Sequence, residues 1–174
     1  MFSLKTVGML LILGASTAAG FWYAEGFRKR YAELQEIQRA IYQFQGEIEY
    51  THTPIPEALL KVSEKSKEPI GQVLKQISNL LEKNEAKDVY EAFKLSFDSN
   101  KNSLCLSKED ISIVLDMAKV LGDADIEGHK KVFNYTLEKL KGQIKIAEGL
   151  AQKNVKMYRY LGVTLGGMTV IMLI

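Results

Sequence analysis

Leu34-Gln35-Glu36-Ile37-Gln38-Arg39-Ala40-Ile41-Tyr42-Gln43-Phe44-Gln45-Gly46-Glu47-Ile48 is the stretch on which the fold turns. Leu34, Ile37, Ile41, Phe44 and Ile48 step by three and four residues, so a helix here carries one narrow apolar seam. A matching seam lies near the other end of the chain, in Phe133, Leu137, Leu140, Ile144, Ala147 and Ala151. Two long helices with such seams are expected to pack antiparallel as a stalk. Gly142 and Gly149 share a face of the second helix. Each costs roughly 1 kcal/mol against Ala in a helix, so close approach by a neighbour is the expected reason for both.

Shorter helices fill the interval. Thr53-Pro54-Ile55-Pro56-Glu57 reads as a helix start, with Thr53 as cap and proline in the first turn, where N–H groups lack partners anyway. The helix it opens buries Leu59 and Val62. Glu68-Pro69 opens another, which presents Ile70, Val73, Leu74, Ile77 and Leu81 on one face. Asp88 starts a third, with Val89, Phe93 and Phe97, and residues 98–103 form a polar loop. Ser107 and Asp110 have the spacing of a capping box for a helix through Ile111, Val114, Leu115, Ala118 and Leu121. Gly122 ends it, and Asp123, Asp125 and Glu127 suit the positive start of the last helix. No strand is expected. The fold class that follows is all-α, an antiparallel bundle of about six helices.

The apolar residues concentrate at the two ends. No charge occurs from Thr6 to Ala24, about 19 residues or roughly 28 Å of helix against a hydrocarbon core of roughly 30 Å. Phe21, Trp22 and Tyr23 close this run as an interfacial belt, followed by Arg28, Lys29 and Arg30. The run 160–174 is also uncharged but makes only about 22 Å of helix, with Lys156 and Arg159 placed to snorkel. The expected organisation is a transmembrane helix over 6–24, a helical domain over 25–159 and a short transmembrane helix over 160–174. Both basic flanks adjoin the central domain, which puts it in the cytoplasm. Gly14 with Ala18, Ala15 with Ala19, and Gly162 with Gly166 are small-residue pairs that would let such spans pack closely in lipid.

Composition narrows the function classes. Lysine and arginine number 23 against 21 acidic residues, a net charge of +2 that offers no field for nucleic acid. One cysteine, Cys105, excludes an internal disulfide and a multi-cysteine metal site and fits a reducing compartment. No phosphate loop, dinucleotide fingerprint or nucleophile elbow occurs. His52 and His129 lie far apart without ligating neighbours, and Asp123, Asp125 and Glu127 lack the glycine and closing glutamate of a calcium loop. No enzyme activity, cofactor or metal is expected.

Three blocks carry a family resemblance. They are residues 47–59, from Glu47-Ile48-Glu49-Tyr50-Thr51-His52 through Thr53-Pro54-Ile55-Pro56-Glu57-Ala58-Leu59; Leu121-Gly122 with Asp125 and Glu127; and Asn154 to Gly167, centred on Lys156-Met157-Tyr158-Arg159-Tyr160-Leu161-Gly162. In order and spacing the chain resembles the stage III sporulation protein AB family over nearly its whole length. It departs at Ala124, where Ser or Thr is expected, and at His129, where Gln is expected. The resemblance implies a soluble domain like those of type II secretion and type IV pilus inner-membrane platform proteins, which dock a hexameric secretion ATPase. It implies a scaffold in the mother-cell membrane around the forespore, coupling such an ATPase to other membrane subunits of a secretion-like complex.

Two turns would face a cytoplasmic partner: Thr53, Pro54, Ile55, Pro56 and Glu57 at the far end of the first stalk helix, and Gly122, Asp123, Asp125 and Glu127 before the return helix. Self-association stays open. The competing readings are a membrane-tethered helical adaptor in signalling and a secreted helical protein whose first segment is cleaved.

Overall fold

The computed structural model describes residues 2–122 and 126–173, with side chains described chiefly over 24–122 and 128–154. Six helices follow one another: α1 (Phe2–Glu49), α2 (Ile55–Lys65), α3 (Ile70–Glu82), α4 (Val89–Ser99), α5 (Lys108–Leu121) and α6 (Ile126–Leu173). No strand occurs among the described residues, so the all-α expectation and the number of helices hold.

The chain divides into two compact units, Ala32–Lys145 and a second made of Met1–Tyr31 with Ile146–Ile174. In the first unit the α1 seam is buried throughout, from Leu34 to Ile48. The α6 residues Phe133, Leu137 and Leu140 are buried as well. Phe44, near the end of α1, meets Phe133, near the start of α6, edge to face with ring centroids 5.5 Å apart. That register is the one an antiparallel pair requires. Between them α2 packs on α3, α3 on α4 and α4 on α5 in succession. Leu59, Ile77, Phe93 and Met117 are fully buried, one from each of these four helices. Each such side chain contributes at most about 1.5–3 kcal/mol against an extended unfolded chain.

Local chemistry sets the helix boundaries. Asp88 caps α4 by accepting the Glu91 N–H at 2.7 Å. The Ser107–Asp110 capping box forms in both directions: Ser107 Oγ accepts from the Asp110 N–H, and the Asp110 carboxylate accepts from the Ser107 N–H. The cap expected on α2 does not form. Its first turn follows Pro54 with no side-chain cap, because the Thr53 hydroxyl turns back to Glu47. The crowding expected at Gly142 and Gly149 is also absent, since a Cβ on either would meet nothing within 4 Å.

The transmembrane helices expected at 6–24 and 160–174 are corrected. Among the described residues no helix is long and apolar enough to cross a membrane. The physical reasons differ at the two ends. The 160–174 run makes about 22 Å of helix, well short of a roughly 30 Å hydrocarbon core. The 6–24 run is not a helix of its own. It runs on without a break into Glu25 and Arg28 within the same 48-residue helix. In this second unit Ala24, Ala147 and Ala151 are buried and Trp22 is exposed.

Two carboxylates of α1 do structural work that its seam does not. Glu33 is buried and accepts the Cys105 N–H at 2.8 Å, which ties the segment before α5 to α1. Glu36, one turn on, is also buried and accepts the Lys67 N–H at 2.8 Å from the α2–α3 connector. It accepts from Arg39 as well, whose guanidinium reaches on to the Lys65 carbonyl. Burial pushes the Glu36 carboxyl up, but the bonds from Arg39 and Lys67 and their positive charges outweigh it, and its pKa lies below the usual range. Gly71, in the first turn of α3, lets that helix close on the end of α2: a Cβ there would sit 2.8 Å from the Ser66 carbonyl oxygen and 3.1 Å from that of Ser63.

Two predictions follow from these contacts. Gly71→Ala should lower the stability of the chain by about 1–3 kcal/mol in denaturant unfolding, because backbone oxygens cannot swing aside. Glu36→Gln should cost about 1.5–3 kcal/mol at neutral pH, the usual range for a hydrogen bond to a charged group. A carboxyl whose folded pKa is lowered stabilises above its unfolded value and loses that contribution as pH falls through the folded one. The gap between wild type and Glu36→Gln should therefore narrow on acidification below pH ~4, where free carboxylates protonate. A gap independent of pH would contradict the assignment.

Candidate functional site

The α1–α2 turn is built around one side chain, Glu47. α1 ends at Glu49, and the Tyr50 N–H still bonds back to the Gly46 carbonyl at 3.1 Å. His52 then adopts a left-handed backbone with φ 50°, a conformation uncommon for residues other than Gly but more often taken by Asn, Asp and His than by the rest. That reversal brings the Thr53 N–H to the Glu47 carbonyl at 3.0 Å. The hydroxyls of Thr51 and Thr53 lie 2.8 Å apart, and both fall within 3.3 Å of the Glu47 carboxylate. Lys61 of α2 completes the cluster, with Nζ 3.6 Å from Glu47 and 2.9 Å from Glu57. For Glu47, desolvation raises the carboxyl pKa, but the Thr53 bond, the Lys61 charge and the Thr51 bond together lower it. Glu57 chiefly raises the pKa of Lys61 through their hydrogen bond. On the inner side the buried Ser78 hydroxyl of α3 donates to the Pro56 carbonyl at 2.7 Å, so the first turn of α2 is held from two directions.

The five residues expected to face a partner divide. Pro54 and Glu57 are exposed, Ile55 and Pro56 half-buried, and Thr53 is buried and committed to the Glu47 network. Sequence reasoning missed the residues just before them. Tyr50 is 82% exposed, and Thr51 and His52 are exposed beside it. A tyrosine off the a/d seam beside Glu49 was the available signal. The result is a rigid polar turn that displays an aromatic ring, an imidazole, a proline and a carboxylate.

The second expected turn is only partly described. Gly122 is exposed at the end of α5, with nothing within 4 Å of where a Cβ would sit. Asp123 and Asp125 lie outside the described residues, as does the Glu127 side chain. His129 Nε2 lies 3.2 Å from the Leu121 carbonyl, which ties the first turns of α6 to the end of α5. Ala15 and Ala18 are exposed, while Gly14, Ala19, Gly162 and Gly166 lie outside the residues whose surroundings are described. The packing role in lipid assigned to these six rested on the spans corrected above.

No group of three His, Cys, Asp or Glu residues able to hold a metal occurs among the described residues. The bundle interior leaves a gap of about 20 Å³ lined by apolar side chains such as Ile37, Phe44, Leu59, Phe93 and Met117. That is room for about one water and no partner for it, so the gap is a packing defect and not a ligand site.

Three comparisons bear on what this arrangement belongs to. The family model described as stage III sporulation protein AB matches residues 5–174. Stage III sporulation protein AB of Bacillus subtilis (strain 168) is 25% identical over 170 residues, which cover 98% of this chain and 99% of that protein. A solved structure of stage III sporulation protein AB (SpoIIIAB) superposes with a TM-score of 0.66 at 21% identity, covering 71% of this chain and 96% of the other. That last likeness supports the fold alone. Protein GCN20 of Saccharomyces cerevisiae matches at 36% identity over 55% of this chain but only 13% of its own length, too small a share to carry a function across. With a family model matched from residue 5 to the last, the chain belongs to the stage III sporulation protein AB family.

Proposed function

We propose that this chain is a scaffold of a sporulation complex, coupling a cytoplasmic secretion-type ATPase to the other subunits and supplying no chemistry itself. The observation that carries the reading is the preformed α1–α2 turn. Glu47, Thr51 and Thr53 lock its backbone, while Tyr50, His52, Pro54 and Glu57 stand out to solvent. A docking surface gains affinity when its shape is fixed beforehand, because little conformational freedom is then lost on binding. An exposed tyrosine beside a charged rim is also the composition that protein interfaces favour. Family membership supports the sporulation context. In this reading the bundle works in the mother cell, on the cytoplasmic side of the membrane around the forespore.

The test is co-purification of the full chain with the secretion-type ATPase of the same complex from sporulating cells. Tyr50→Ala combined with Glu57→Lys should cut recovery of the ATPase by about tenfold or more, as loss of an interface anchor does, with helical content unchanged and the unfolding midpoint lowered only slightly, since Glu57 gives up an exposed pair with Lys61. Undiminished recovery with the double variant would remove this turn as the docking face. Absence of the ATPase from the wild-type preparation would remove the coupling role.

A further inference from the structure

The groove between α5 and α6 points to a second docking surface. Its floor is the buried pair Met117 and Thr136. Its walls are Val132, half-buried, with Val120 at 40% and Tyr135 at 58% exposure. The space between is about 610 Å³. This is a volume in the range of ligand sites, but the apolar walls are open to solvent, whereas a small-molecule site encloses most of its ligand. An open apolar trough between two helices suits a third helix laid along it.

The rim fixes the chemistry of that helix. Lys119 stands on the α5 side and Lys139 on the α6 side, both exposed. The Lys139 ammonium lies 4.5 Å from the Tyr135 ring centroid, which holds a cation at the edge of the apolar floor. Asp116 is the one acidic residue of the lining and already acts on Lys139. The surroundings lean the same way: from 128 to 145, α6 carries Lys130, Lys131, Lys139, Lys141 and Lys145 against Glu138 alone. A basic rim around an apolar trough complements apolar side chains flanked by carboxylates.

We infer that the α5–α6 groove binds an acidic amphipathic helix of another protein, its apolar face on Val120, Val132 and Tyr135 and its carboxylates against Lys119 and Lys139. The inference rests on the reading of this chain as a subunit of a protein assembly, but not on docking at the α1–α2 turn. A scaffold needs two faces, and this is the second.

The experiment places photoreactive benzoylphenylalanine at position 135 of the full chain in sporulating cells, with position 50 in parallel, and sequences what each captures. Position 135 should capture a Glu- or Asp-rich amphipathic segment of another protein. The yield should fall about tenfold or more when Lys119→Glu and Lys139→Glu are introduced together, since like charges now face each other. Both lysines are exposed, and an unchanged helical content of the charge-reversed chain checks that the fold is kept. Capture of a basic segment, of nucleic acid or of a second copy of this chain would overturn the inference, as would a yield unaffected by charge reversal. Capture at position 50 but not at 135 would overturn the groove alone. Capture at neither overturns the groove, and if cells lacking the chain also form normal spores, the subunit reading falls with it.

Discussion

Two buried glutamates one turn apart on α1 hold the connectors of this fold in place. An apolar seam can bury a helix, but it cannot hold the loops around it, because apolar contact has no direction. Glu33 and Glu36 supply the direction. One accepts the amide of Cys105 before α5, the other the amide of Lys67 between α2 and α3. A buried carboxylate is costly unless each oxygen finds donors, so both connectors are held where their N–H groups answer that need. Arg39 reinforces the second site by bridging Glu36 and the Lys65 carbonyl. α1 thus acts as the spine onto which the α2–α5 layers are fastened, with Phe44 against Phe133 joining the return helix to the same spine.

That arrangement also shapes the two surfaces proposed as docking faces. A small gap in the interior is lined by apolar side chains. Several polar groups hold turns and helix starts: Glu47 on the α1–α2 reversal, Asp88 and Asp110 on helix starts, Ser78 on the carbonyl of Pro56. The surfaces left over are an exposed turn with Tyr50 and an open basic groove with Tyr135, and both suit protein partners. Their rigidity comes from the interactions that hold the fold, so a change at Glu47 or Glu36 should be felt at the surface as well as in stability.

Much of this was legible in the sequence, and what was not has physical causes. The seams at 34–48 and 133–151, the Asp88 cap and the Ser107–Asp110 box all rest on spacing, and spacing survives into structure. The Thr53 cap failed because a hydroxyl chooses among nearby acceptors, and Glu47, six residues back, becomes near only once His52 reverses the chain. Glu33 and Glu36 lie off the apolar seam, where a helix ordinarily shows its polar side. Their partners lie 72 and 31 residues away, which no local pattern reveals. The charge-free ends suggested spans, but among the described residues no helix is long and apolar enough to cross a membrane. Tyr135 was overlooked because it lies beside the α6 seam, and only the placement of α5 makes it one wall of a groove.

Amide hydrogen exchange at Cys105 and Lys67 in the folded full chain tests the pinning of the connectors to α1 most directly. Both amides sit in segments that would exchange freely if held only by neighbouring helices. If Glu33 and Glu36 hold them, they should exchange as slowly as core amides of α3 and α5, and in Glu33→Met, which keeps the volume but lacks the oxygen acceptor, only the Cys105 amide should quicken. Rapid exchange at both in the wild-type chain, with α3 and α5 protected, would contradict α1 as the spine of the fold.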